Sequence, residues 1–181
     1  MENNCIIDKN GFQFFKNDSH HYSTKFEIKS SKLDLTQIIN FDLMKLVYDL
    51  NPELFEECKI EKISETKAKF IILFKHFFKD VGLPQRFAHV ELSREVIDDK
   101  IIFIGNSSSD PPNIKIPSGC IQLPAKKIKY ECVMINNGHA KVTQNMYLDN
   151  TFQFQPFVEK FLGGIFIKIF LRVKQFIENY S

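Results

Sequence analysis

The sequence predicts an α+β domain in which a curved antiparallel sheet of about eight strands wraps around one long C-terminal helix, with two short helices after the second strand. Three observations carry this. Runs that alternate with a period of two, separated by turn residues, occupy most of the chain. One helical tract stands at its end, and the two kinds of element are segregated rather than interleaved, which argues against a parallel βαβ sheet. A chain of 181 residues can bury one full core, so a single domain over residues 11–181 is expected, preceded by a polar, flexible stretch over residues 1–10.

Residues 12–16 read as a first strand. Residues 22–29 are its hairpin partner across a turn rich in Asn, Asp and Ser, with Tyr22, Thr24, Phe26 and Ile28 on one face. Ser30-Ser31 suits a helix cap, and Leu35, Ile38, Ile39, Leu43, Leu46, Val47 and Leu50 follow at helical spacing, as one broken helix or two short ones. Residues 55–63 and 67–77 form the next hairpin about Ser64-Glu65-Thr66. The second of these strands is apolar on both faces around residues 70–74, so both faces must be covered. Asp80, Gly82 and Pro84 then break the pattern and leave Phe77, Phe78, Val81 and Leu83 in a loop, where apolar side chains are costly to expose. A hairpin about Asp98-Asp99 joins residues 86–97 to residues 100–106. After a crossing rich in Pro and Ser, residues 119–135 and 139–148 flank Asn136-Asn137-Gly138, and Asn-Gly between alternating runs is the strongest short hairpin signal.

Pro156 fits the first turn of the final helix, where its missing N–H costs nothing, and the helix is expected to run from Phe157 to about Asn179. Lys160, Gly164, Lys168, Arg172, Gln175 and Asn179 recur at spacings of three and four and form one narrow polar stripe. Nearly everything else is apolar, from Phe157, Phe161 and Ile165 to Phe170 and Ile177, a face wider than a helix resting on an ordinary core requires. Something large and apolar must face it.

Composition removes several function classes. The net charge of +2, with no Arg-rich run or zinc-finger spacing, argues against nucleic acid as a partner. Cys5, Cys58, Cys120 and Cys132 are scattered without C-x-x-C or a histidine at ligand spacing, so no metal site is expected and the thiols read as reduced and buried. The polar N-terminus lacks a signal-peptide core and has Glu2 where N-myristoylation requires glycine, which predicts a cytoplasmic protein. The most apolar run, residues 163–171, is far shorter than the roughly 20 residues of a membrane span and carries Lys168. G-x-S-x-G, H-E-x-x-H and phosphate-cradling glycine loops are absent, and no cofactor is called for.

A set of marks recurs in a telling order: Ser93-Arg94-Glu95 at a strand end, the Asp98-Asp99 turn, Asp110-Pro111-Pro112, Ser118-Gly119-Cys120, Lys141-Val142-Thr143, and Phe154-Gln155-Pro156 running into Phe161-Leu162. On these, from Gly11 onward, the chain resembles the START family of lipid-transfer domains, a helix-grip fold in the Bet v 1-like superfamily. It departs from the family where Pro84-Gln85-Arg86-Phe87 stands for Pro-Arg-Asp-Phe and where Glu91 stands for an arginine often found farther along that strand. The extra N-terminal helix of the family also finds no room before the first strand.

The resemblance implies a hollow between sheet and C-terminal helix that encloses one lipid, a phospholipid ahead of a sterol, and a monomer that moves it between membranes through transient contact with their surfaces. The lining it implies comprises Ile72, Phe74, His89, Glu91, Phe103, Tyr130, Met134, Met146, Phe157, Phe161 and Ile165. The loop before the fifth strand would act as a gate, with Phe77, Phe78, Val81 and Leu83 entering the membrane interface while Lys79 meets anionic headgroups. His89 and Glu91 alternate with Ala88, Val90 and Leu92, so they face either water or the hollow. Inside, Glu91 would need a cationic partner such as a choline or ethanolamine head. Two other readings stay open: a cyclase-like or hydrolase-like enzyme using His76 or His89 as a base, and a cavity-free adaptor that binds another protein through its sheet.

Overall fold

The computed structural model describes residues 4–180. Ten strands build one sheet: β1 (Asn4–Lys9), β2 (Phe12–Lys16), β3 (His21–Lys29), β4 (Phe55–Ser64), β5 (Lys67–Phe74), β6 (Arg86–Ile97), β7 (Lys100–Ser107), β8 (Ile121–Gln122), β9 (Ala125–Asn136) and β10 (His139–Leu148). The spatial order is β1-β2-β3-β10-β9-β7-β6-β5-β4, antiparallel throughout, with the short β8 lying parallel to the start of β6. Helices α1 (Leu35–Ile38) and α2 (Phe41–Asp49) connect β3 to β4, and α3 (Pro156–Glu178) closes the chain. Among the described residues no helix is long and apolar enough to cross a membrane.

The expected α+β arrangement is present, with two more strands than anticipated. Residues expected to be loose form β1, paired with β2 across Asn10-Gly11; residues 1–3 lie outside the described ones. Both turn residues have positive φ, 55° at Asn10 and 76° at Gly11, as a two-residue type I′ hairpin requires. The tract expected as one strand from residue 119 divides into β8 and β9 at Leu123-Pro124, because proline cannot donate to a ladder. The helix caps also differ. Ser30 Oγ accepts from the N–H of Lys32 and Leu33 in a turn, whereas Asp34 caps α1 and Asn40 caps α2 by accepting from Asp42 and Leu43. Cys132 is buried, but Cys5 is exposed on the edge strand, against the expectation of buried thiols.

Helix α3 rests on β1, β2, β3 and α2. Its first turn is pinned by the buried Glu159, which accepts from Lys16 Nζ at 2.6 Å and Tyr22 Oη at 2.7 Å. Burial first, and then this hydrogen bond, raises the Tyr22 hydroxyl well above the usual phenol range. An aromatic series continues the contact: Phe14 to Phe166 at 6.1 Å, Phe166 to Phe170 at 6.4 Å, Phe170 to Phe26 at 5.0 Å and Phe26 to Phe12 at 4.8 Å between ring centroids. The polar stripe faces out, and Lys168 and Arg172 both reach Glu53, at 2.7 and 2.6 Å.

Candidate functional site

Helix α3 sits over β1, β2 and β3 and meets β9 through Phe170, whose ring lies 6.2 Å from that of Tyr130, while Phe41 of α2 reaches Phe70 on β5 and Phe103 on β7. Strand periodicity turns Phe70 and Ile72 on β5, Ala88, Val90 and Leu92 on β6, Phe103 on β7, and Ile128, Tyr130 and Cys132 on β9 towards α3. The helix answers with Val158, Phe161, Ile165, Ile169 and Val173, and α2 closes the deep side with Leu43, Met44, Val47 and Tyr48. Between them lies a hollow of about 320 Å³. That is at the lower end of the roughly 300–1,000 Å³ of small-molecule pockets. The exposed Lys75, Gln153 and Gln155 stand on its rim, so it meets solvent between the β5–β6 loop, the β10–α3 linker and the first turns of α3.

Most of the expected lining residues meet here: Ile72, Phe74, Phe103, Tyr130, Met146, Phe161 and Ile165 all border the hollow. Four do not. His89 and Glu91 point to the outer face of β6, because the inward positions of that strand are Ala88, Val90 and Leu92. There Glu91 pairs with Lys69 at 3.6 Å, and His89 lies beneath the crossing loop beside Lys69 and Asp110. Met134 is partly buried and packs against the core without bordering the hollow. Phe157 is half exposed, and its ring meets Phe78 edge-on at 5.8 Å.

The β5–β6 loop divides in the same way. Phe77, Phe78 and Leu83 fold inward onto the hollow, with Phe77 and Phe78 at 5.2 and 4.6 Å from the Phe161 ring. A single 3₁₀ turn, Lys79–Val81, ends at Gly82, whose φ of 73° suits glycine. It leaves Lys79 and Val81 at the exposed tip, Val81 at 63% of its free area.

Of three polar side chains on the wall, Tyr130 was among the expected lining residues, whereas Tyr48 and Arg86 were not. The hydroxyls of Tyr48 and Tyr130 have no hydrogen-bond partner among the described residues, and burial pushes Tyr130 up to about 12 and Tyr48 well above the phenol range, with Tyr130 nearby adding to the second. Both stay neutral donors facing the hollow. Arg86, nearer the rim, is half-buried and lies 5.5 Å from the Phe152 ring. It shares the period-two face of Ala88, Val90 and Leu92, a signal that was present in the sequence.

The arrangement of curved sheet and C-terminal helix recurs in solved structures. The human StarD13 (DLC2) lipid transfer and protein localization domain matches with a TM-score of 0.69 at 11% identity, over 98% of this chain and 90% of that one. The chain has the START-domain fold. Human STARD10 matches at a TM-score of 0.70 and 11% identity, over 96% of this chain and 73% of that one. A STAR-related lipid transfer protein from Xanthomonas axonopodis matches at 0.62 and 11%, over 97% and 98%. No protein-family model matches the sequence, and no curated protein sequence matches it. At 11% identity the likeness to these structures is one of fold.

Proposed function

We propose that the protein binds one lipid in the hollow beneath α3 and transfers it between membranes, a phospholipid ahead of a sterol. The observation that carries this reading is the hollow itself, about 320 Å³ with walls that are almost wholly apolar and an opening at the aromatic β5–β6 loop. Burial of acyl surface at about 25 cal/mol per Å² would supply affinity, and Tyr48 and Tyr130 would orient an ester carbonyl or hydroxyl. The printed descriptions of the StarD13 and Xanthomonas neighbours name lipid transfer, which supports the same reading.

A carrier rather than a catalyst is supported by the histidines. His89 lies on the outer face, and His76 sits on the exposed loop with its Nε2 2.7 Å from the Leu83 carbonyl. The void speaks against a solid adaptor. In the gate reading, Phe77, Phe78 and Leu83 close over the cargo while Val81 and Lys79 touch the membrane as a monomer docks transiently.

Native mass spectrometry of the purified full chain should find one bound lipid per protein, and transfer between liposomes should be saturable. Val81→Asp should slow transfer without emptying the protein. Absence of both bound lipid and transfer across several membrane compositions would sink the carrier reading.

A further inference from the structure

We propose that the cargo is an amphiphile with an anionic head, held at the rim of the hollow by Arg86 while its apolar tail fills the interior. This deepens the carrier reading and rests on it. The residues bordering the hollow include two cations, Lys75 and Arg86, and no Asp or Glu. Lys75 is exposed on the rim, whereas Arg86 begins the inward series of β6 and is half-buried.

Of the three arginines, Arg86 alone borders the hollow; Arg94, farther along β6, donates its Nε to the Ile39 carbonyl at 3.3 Å. Arg172 is matched by Glu53 at 2.6 Å and also donates to the Leu50 carbonyl and to Asn51. Arg86 has one long hydrogen bond, from Nη1 to the Gln122 carbonyl at 3.4 Å, and the face of Phe152. Burial lowers its proton affinity, the nearby Cys120 thiol opposes this, and no carboxylate contributes. The guanidinium still carries its charge, because arginine keeps its proton in proteins even when partly buried. Most of its five N–H donors are therefore uncommitted at the edge of an apolar chamber, where an unmatched charge is costly.

A carboxylate or phosphate oxygen pair fits the planar fork of such a group in a bidentate way. The side chains that share the rim with it, Gln85, Gln153 and Gln155, are uncharged; the acid beside them, Glu56, is exposed, does not border the hollow and accepts from Gln85 Nε2. A zwitterionic head with a quaternary ammonium finds no acid on this wall, because Glu91 lies on the outer face paired with Lys69. The wall therefore discriminates by charge as well as by apolarity.

The test uses the full chain stripped of lipid and incubated with phosphatidylcholine vesicles containing an equal share of phosphatidic acid or, separately, of oleate. The protein is then re-isolated and its bound lipid counted by native mass spectrometry. Phosphatidic acid or oleate should be captured over phosphatidylcholine by roughly tenfold or more, the scale of a hydrogen bond to a charged group. Which of the two is taken up distinguishes a phosphate from a carboxylate head. Arg86→Gln should return the bound mixture to the vesicle composition, Arg86→Lys should keep most of the preference, and Ala88→Glu, which places an acid on the same strand face, should abolish it without removing the arginine. Millimolar inorganic phosphate should not displace the lipid. Equal capture of phosphatidylcholine by the natural chain, an unchanged ratio in both Arg86→Gln and Ala88→Glu, or displacement by phosphate alone would overturn the proposal while leaving the carrier reading standing. Failure to capture any lipid would overturn both.

Discussion

Gly163 and Gly164 are neighbours in α3, yet a methyl group added to each would meet different surroundings. At Gly164 nothing lies within 4 Å, whereas at Gly163 the added carbon would collide with the Phe14 ring and the tip of Ile7. Phe14 is 1% exposed and held between Tyr22 and Phe166, so its ring cannot step aside cheaply. Both substitutions gain about 1 kcal/mol of helix propensity. Overpacking costs about 1–3 kcal/mol, so Gly163→Ala should be neutral to destabilising by about 2 kcal/mol while Gly164→Ala stabilises by about 1 kcal/mol. Urea denaturation of the two variants checks that Gly163→Ala is the less stable. The same scale explains what the sequence revealed and concealed. The Asn-Gly rule holds literally at Asn10-Gly11, where both φ are positive and the turn was overlooked. At Asn137-Gly138 the hairpin forms, but neither residue has positive φ. Glycine is needed there because a side chain would strike the Ser30 carbonyl, a contact distant in sequence. On β6 one alternation rule turns Arg86 inward and His89 and Glu91 outward.

Among elements, α3 was the most legible, since Pro156, the polar stripe and the broad apolar face each give a local signal. Strand β1 was not, because an edge strand paired on one side only needs no alternation; its sequence shows Ile6 and Ile7 side by side with exposed polar flanks. What fastens α3 to the α2–β4 connection was equally hidden, as Glu53 and its partners Lys168 and Arg172 are far apart in the chain. Hydrogen bonds from Arg172 and then Lys168 hold the Glu53 carboxyl at about 2, below its ordinary 4.5. A depressed carboxyl stabilises the fold above its unfolded value and loses that contribution as pH falls through the folded one. The group is largely exposed, so solvent screening keeps the effect small, within about 1 kcal/mol. Glu53→Gln should therefore lower stability at neutral pH by up to that amount. The gap to the natural chain should narrow from about pH 4.5 and vanish near pH 2, read from urea midpoints at several pH values.

At the scale of the molecule, one sheet serves two kinds of interior. Ala140 on β10 is 0% exposed and does not border the hollow, although Ile28, its partner across the ladder, does. Ala88, also buried, stands on the wall of the hollow between Arg86 and Val90. A sequence cannot distinguish these two alanines, because cavity wall and solid core both demand an apolar residue at every second position; the difference arises only from where α3 comes to rest. It has opposite consequences for the same substitution. Ala140→Leu adds three carbons to filled space and should destabilise by about 1–3 kcal/mol. Ala88→Leu adds them to empty space, where they gain contacts, so stability should hold or rise. The enlarged side chain then competes with cargo for the same volume. Thermal unfolding and native mass spectrometry on both variants give the reading: Ala88→Leu should keep its midpoint and lose bound lipid, and Ala140→Leu should lose its midpoint and, while folded, keep its lipid. If Ala88→Leu retained a full complement of lipid at unchanged stability, the hollow would not be where the cargo resides.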